Sequence, residues 1–320
     1  MDSIRQTPAP DAARNKSRFR YNLQLAKRNY MLYIFLLPAC LYIAIFNYGP
    51  MYGIQIAFRN YTPAKGIFGS PWVGLRWLEM FFASPRFLTI LGNTVGLSFY
   101  QLLAGFPMPI ILALIINNVL NMKFKRFAQT VTYMPHFIST VVMVGMISVF
   151  FSPRSGIINT LLGMFGGSGD TYFLGIPAYF QHLYIWTGVW QSAGWGSIIY
   201  IAALTAVNPE LHESAMIDGA SKLQRIWHID LPTIMPTMVI LLILNCGSIM
   251  NVSFEKVYLM QNALNQSVSE VISTYTFKIG LQQYEYSYST AIGLFNNLVN
   301  FTVLLIVNFT AGKLSGSSLW

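Results

Sequence analysis

Six long stretches without one charged residue constrain this chain more than any other feature. They cover residues 29–58, 87–122, 127–153, 171–209, 231–254 and 286–312. A helix needs about 20 apolar residues to cross about 30 Å of hydrocarbon, and every stretch exceeds that. Only 10% of residues are charged, where a soluble domain carries about a quarter. The expectation is an all-α integral membrane protein with six transmembrane helices, near residues 31–57, 88–118, 129–151, 183–206, 233–253 and 290–311. The first apolar run is too long for a secretory signal, and no small-x-small cleavage site follows it, so it reads as a span.

Lys and Arg orient the spans. Seven bases precede the first span: Arg5, Arg14, Lys16, Arg18, Arg20, Lys27 and Arg28. Lys123, Lys125 and Arg126 follow the second, Lys222 and Arg225 lie between the fourth and fifth, and Lys313 follows the sixth. These thirteen share one side, against seven on the other: Arg59, Lys65, Arg76, Arg86, Arg154, Lys256 and Lys278. Both termini are therefore expected in the cytoplasm, with residues 1–29 a basic tail and Lys123–Phe124–Lys125–Arg126 a basic turn. The net charge of +9 does not point to nucleic acid, because the bases cluster at membrane boundaries rather than on one aromatic-laced surface. Cys40 and Cys246 both sit inside apolar runs and read as buried small hydrophobes, neither disulfide nor metal site.

The segment 208–232 breaks the pattern. It packs Glu210, Glu213, Asp218, Asp230, Lys222 and Arg225 between two apolar runs. Asn208 and Pro209 open a helix, as cap and first-turn proline. Gly219 offers a break. A second helical piece carries Leu223, Ile226 and Trp227 on one side, and Leu231–Pro232 is expected to end it.

This segment resembles the EAA loop of ABC importer permeases. The matching positions are Glu213, Ser214, Ala215, Gly219, Ile229, Leu231 and Pro232. Ser214 stands where the family usually has Ala, one small residue for another. Beyond the loop, the strings at 69–75, 133–139, 194–200 and 286–295, with the terminal Ser318–Leu319–Trp320, resemble the LplB-like branch of the maltose-type, complex-carbohydrate permeases. The likeness covers residues 30–320. It implies a type I importer permease (MetI-like) fold, with residues 30–320 forming the permease domain. It also implies that Glu213, Ser214, Ala215, Asp218, Gly219, Ile229, Leu231 and Pro232 couple this chain to an ATPase. The partner set it implies is a second homologous permease, two cytoplasmic ATPase subunits holding ATP and Mg, and an extracytoplasmic sugar-binding protein. The cargo would be an oligosaccharide, with uronic-acid oligomers among the substrates of relatives, and the setting a bacterial cytoplasmic membrane.

Within the spans, Trp186, Trp190 and Gln191 lie within about one helical turn. Aromatic faces stack on sugar rings and amides bond hydroxyls, so these residues are candidates for a sugar path, along with Asn245 and Asn297. The competing reading is packing: Gly188, Gly194 and Gly196 let helices approach while tryptophan fills gaps. Asn296, Asn297 and Asn300 share a helix face, and amides in hydrocarbon need partners, either a neighbouring helix or a watery path. No phosphate-binding G-x4-G-K-[ST] loop occurs, nor H-E-x-x-H, nor G-x-S-x-G. The chain is expected to hold no cofactor and to catalyse no reaction itself. An amino-acid, peptide or ion permease, an ATP-independent carrier and a non-transporting scaffold are the alternatives. The lack of intramembrane Asp, Glu, Lys or Arg chains weighs against the carrier.

Overall fold

The computed structural model describes residue 25 and residues 27–319. Most of the basic tail, with Arg5, Arg14, Lys16, Arg18 and Arg20, lies outside the described residues, as does Trp320. The regular structure described is helical, apart from one antiparallel bridge between Arg59 and Trp72. The chain divides into two units, residues 1–55 and 56–320.

In the first unit, α1 (Tyr30–Ile43) carries Pro38 in its interior. It passes into a π-turn, Ala44–Tyr48, closed by the Gly49 amide on the Ala44 carbonyl. Pro50 brings no N–H, and the widened turn absorbs the missing donor. Helical structure reaches Phe58, so the span Tyr30–Phe58 is 29 residues long.

The second unit holds the other spans. α2 (Phe87–Gly105) and α3 (Pro107–Asn117) are separated only at Phe106. Pro107 stands at the first position of α3, where a lost N–H costs little. Pro107 and Pro109 therefore interrupt one 31-residue span without dividing it.

The third span departs further from expectation. The basic segment is not a turn but the start of α4 (Met122–Tyr133). The Asn121 side chain accepts from the Lys123 and Phe124 amides at 2.9 and 3.2 Å, which supplies the helix start. A 3-10 turn, Met134–Phe137, leads to α5 (Thr140–Phe150), capped by Ser139. The two halves meet at 97°. Irregular backbone at membrane depth needs partners from protein. Gln191 provides one, its Nε2 donating to the Ile138 carbonyl at 2.7 Å.

α6 (Pro177–Leu204) is the helix around which this unit packs. Its first half meets Leu97, Met143, Val144 and Ile147, and its second half meets Ile110, Ala113, Leu114 and Ile234. Gly194 lies against the Thr132 carbonyl, where any Cβ would collide. The close approach that small residues permit is thus used at this position. Further on come α7 (Pro209–Ile217), α8 (Lys222–Arg225), α9 (Leu231–Cys246), α10 (Phe254–Met260), α11 (Ile272–Phe277) and α12 (Tyr286–Ser315).

Four described helices are long and apolar enough to cross a membrane: Tyr30–Phe58, Phe87–Asn117, Lys222–Cys246 and Tyr286–Ser315. The bent pair Met122–Phe137 and Thr140–Phe150 makes a fifth if taken as one span. The remaining expected span falls on α6. Its 28 residues are long enough, but His182, Thr187, Gln191 and Ser192 dilute its apolar character. The fifth span ends at Cys246 rather than near 253, and Asn251 lies beyond the helix.

The polar character of residues 255–285 predicts an outer loop, but residues 254–285 form a small helical cap with a buried polar interior. Asn265, Ser269 and Thr274 are fully buried. Asn265 donates to the Leu174 and Met260 carbonyls at 2.9 and 3.0 Å and accepts from the Asn262 amide at 2.9 Å. Glu270 takes Lys278 at 3.2 Å. The cap is fastened to α2 by Asn93, which donates to the Ser267 and Glu270 carbonyls, and by the Ile272 amide, which donates to Thr94. Lys256 is buried with no carboxylate beside it. Its Nζ donates to the Tyr184 carbonyl at 2.8 Å and lies 4.9 Å from the centre of the Tyr184 ring. Burial pulls its pKa from 10.5 down to about 8.

Candidate functional site: the 208–232 loop and the membrane cavity

The loop is built by local chemistry. The Asn208 side chain accepts from the Glu210 amide at 3.1 Å and starts α7, with Pro209 in its first turn. The helix closes in a Schellman arrangement. The Ala220 amide bonds the Ala215 carbonyl at 2.8 Å, and the Gly219 amide bonds the Met216 carbonyl at 3.1 Å. That closure holds Gly219 at φ +78°, in the left-handed region where a side chain is disfavoured. Ser221 and Gln224 then cap α8 reciprocally, at 2.7 and 3.4 Å. Their S-x-x-Q spacing is the sequence signal of such a helix start.

Glu213, Ser214, Asp218 and Gly219 are all exposed, and Ala215 is half-buried. Ile217 is 87% exposed, beside the exposed Leu211 and Met216. These apolar side chains are spread around α7 among the exposed Glu210, Glu213 and Ser214 rather than gathered on one face. Leu231 and Pro232 do not end the helix. The chain runs through a π-turn, Ile226–Asp230, directly into α9, whose second residue is Pro232. Proline is tolerated there because it falls in the first turn after the widened ring. Ile226 and Leu231 pack against the cluster of Tyr200, Leu204 and Ile234, and Ile229 is half-buried.

A cavity of about 370 Å³ lies between α2, α3, α6 and α9. Asn245, Asn251, Gln101, Ser192 and Ser248 supply its polar lining and Trp195 its aromatic wall. Of the expected path residues, only Asn245 borders it. Trp186 and Trp190 line a separate cavity of about 390 Å³ with Phe151, Phe173 and Tyr179. Trp186 Nε1 donates there to the Tyr100 hydroxyl at 2.9 Å. Gln191 is committed to the Ile138 carbonyl, and Asn297 is exposed away from either cavity. Asn296 and Asn300 both donate to Asn251 Oδ1, at 3.0 and 2.9 Å, and Asn300 accepts from the Met250 amide at 2.8 Å. Two of the three amides thus pair with Asn251 on the chain leaving α9, a residue that itself lines the cavity. Gln101 and Trp195 are cavity residues that periodicity alone did not distinguish from packing. Among the described residues, no three His, Cys, Asp or Glu side chains gather as a metal site would need.

A helical membrane protein whose spans surround an uncharged polar cavity, with a closed helical loop between two of those spans, has the architecture of a transport permease. The profile of the family described as "Binding-protein-dependent transport system inner membrane component" matches residues 105–315, and the chain belongs to that family. It is 42% identical to the polygalacturonan/rhamnogalacturonan transport system permease protein YteP of Bacillus subtilis (strain 168), over 98% of each chain. It is also 42% identical to protein LplB of the same organism, over 92% of each. Among solved structures, a chain of a bacterial alginate ABC transporter, crystallised with an alginate pentasaccharide-bound periplasmic protein, superposes with a TM-score of 0.85. That match has 38% identity and covers 92% of this chain and 99% of that one. The fold is accordingly that of an ABC importer permease.

Proposed function

We propose that this chain is one of two permease subunits of an ATP-driven importer for an oligosaccharide, an acidic plant-polysaccharide or uronic-acid fragment being the cargo class that its relatives' names favour. The carrying observation is the pairing of two features on one short path. The exposed helix α7 is closed at Gly219; the next helix, α8, runs through the π-turn without a break into α9, and α9 carries Asn245 to the cavity. A partner ATPase that moved α7 would act on a cavity wall through the turn at Gly219 and the contacts of α7 with the base of α9.

On this reading α7 seats in a groove of the ATPase by helix-in-groove recognition, with Ile217, Met216 and Leu211 as apolar contacts and Glu213 paired to a base. With six spans and the Lys/Arg excess on the cytoplasmic side, both termini and the loop would lie in the cytoplasm. The cap of residues 254–285 then faces the binding protein on the opposite side. ATP binding and hydrolysis occur in the partner and bias two states of the permease pair. The cavity's amides and hydroxyls would exchange hydrogen bonds with cargo hydroxyls, and Trp195 would offer an apolar wall.

The test is uptake in proteoliposomes holding this chain, its partner permease, the ATPase and the binding protein. A panel of neutral and acidic oligosaccharides should contain one that is accumulated only with ATP and the binding protein. Uptake that persists without ATP, or of amino acids or peptides in place of sugars, would refute the reading.

A further inference from the structure

The coupling reading leaves a mechanical question open. No residue of α7 is buried, and the hydrogen bonds of its side chains stay within the loop. Only His212 and Ala215, three residues apart and so on one face of the helix, are half-buried there. Across from them lies Asp230, last residue of the π-turn and 1% exposed. His212 Nε2 sits 3.2 Å from Asp230 Oδ1. Neither Asp230 oxygen receives a well-aligned hydrogen bond from the described residues.

A buried carboxylate without partners is costly, and breaking a buried pair costs far more than an exposed one. Asp230 also immediately precedes α9. Among the described residues, this is the one imidazole–carboxylate contact that joins α7 to the base of the span. The geometry points to a strut: we propose that the His212–Asp230 pair is the positioning element that transmits displacement of α7 to α9. This rests on the importer reading above and adds to it the residues that carry the stroke. His212 and Asp230 lie outside the seven matched loop positions, so the strut belongs to this chain's own side chains rather than to the motif.

The transmission claim is read as cargo moved per ATP hydrolysed, in the full reconstituted complex. A merely structural defect lowers uptake and cargo-stimulated hydrolysis together, whereas a broken strut lowers uptake while hydrolysis persists. H212A and D230N should each reduce cargo per ATP at least about fivefold. H212K, which keeps a nitrogen donor opposite Asp230, should stay within about twofold of wild type. Should either single variant fail to assemble, H212L/D230L leaves no orphaned charge; it should assemble and still be uncoupled. Wild-type stoichiometry in H212A or in H212L/D230L would overturn the strut, as would an H212K defect equal to that of H212A.

A wild-type complex that shows no cargo-stimulated hydrolysis would instead sink the importer reading. The pair is then judged by a double-mutant cycle on the thermal unfolding midpoint of the purified chain. Non-additive shifts for H212A and D230N are expected, and additive shifts would overturn it.

Discussion

The loop of residues 208–232 and the cap of residues 254–285 are both short helical pieces set against the membrane spans, and they are built on opposite principles. The cap buries its polar groups and satisfies them internally: Asn265, Ser269 and Thr274 are fully buried and bonded. The loop exposes its apolar groups, Ile217 above all. The cap satisfies its buried polar groups within this chain, although Leu264, Leu281 and Tyr284 stay exposed on it; α7 has no buried residue at all. Buried and bonded groups fix a shape, and exposed apolar groups on a shaped helix mark where another surface belongs.

That contrast is easiest to break in the cap. Asn265→Ala would strip the Met260 carbonyl, the Asn262 amide and the Ser269 hydroxyl of a partner, while the Leu174 carbonyl keeps the Asn262 side chain. Each orphaned buried group costs about 1–3 kcal/mol. The thermal unfolding midpoint in detergent should fall sharply and the yield of folded protein collapse. An unchanged midpoint would mean the cap is not self-supporting.

Gly219→Val tests the loop from the other side. A β-branched residue at φ +78° costs about 1–2 kcal/mol locally, too little to unfold the protein. Membrane insertion should be retained and uptake should fall about tenfold or more. Normal uptake would remove the loop from the mechanism.

Lys256 gives a smaller effect with a defined sign. Its folded pKa of about 8 lies below the unfolded 10.5, so between those values the unfolded chain binds more protons than the folded one. Stability therefore rises as pH climbs from 8 to 10, by about 1–3 kcal/mol. Lys256→Met should flatten that rise in an unfolding-against-pH series; an equal rise in the variant would assign it elsewhere.

The smallest expected change sharpens the comparison most. Ile217→Ser, at an 87% exposed position, should leave stability within about 0.5 kcal/mol. ATPase association should nonetheless weaken measurably in a copurification assay. A stability loss like that of Asn265→Ala would show that the loop is packed by its own chain after all.

The same division explains what was legible beforehand. The loop is local: Asn208, Pro209 and Gly219 act on residues within five positions, so its helix start and its break could be read directly. The spans are set by length and apolarity, and their positions were readable to within a few residues at most ends. What escaped depends on distant partners. The 97° break after Phe137 was hidden because it is stabilised by Gln191, more than fifty residues away. Pro232 was misread as a stop because the π-turn that accommodates it leaves no periodic signature. The cap's polar residues looked like a loop, since burial of Asn265 is decided by Leu174 and Met260. Trp186 and Trp190 looked like one site with Asn245, yet they border a different cavity.

The central claim is that this chain is completed at its 208–232 loop by an ATPase and works beside a second permease. Its most direct test is a pull-down of the tagged chain from native membranes in a mild detergent, with the copurifying proteins identified. The account predicts an ATPase, a second helical permease and an oligosaccharide-binding protein, with the ATPase lost from the Ile217→Ser preparation. Recovery of this chain alone, in a detergent that preserves comparable complexes, together with uptake that survives ATP depletion, would contradict it.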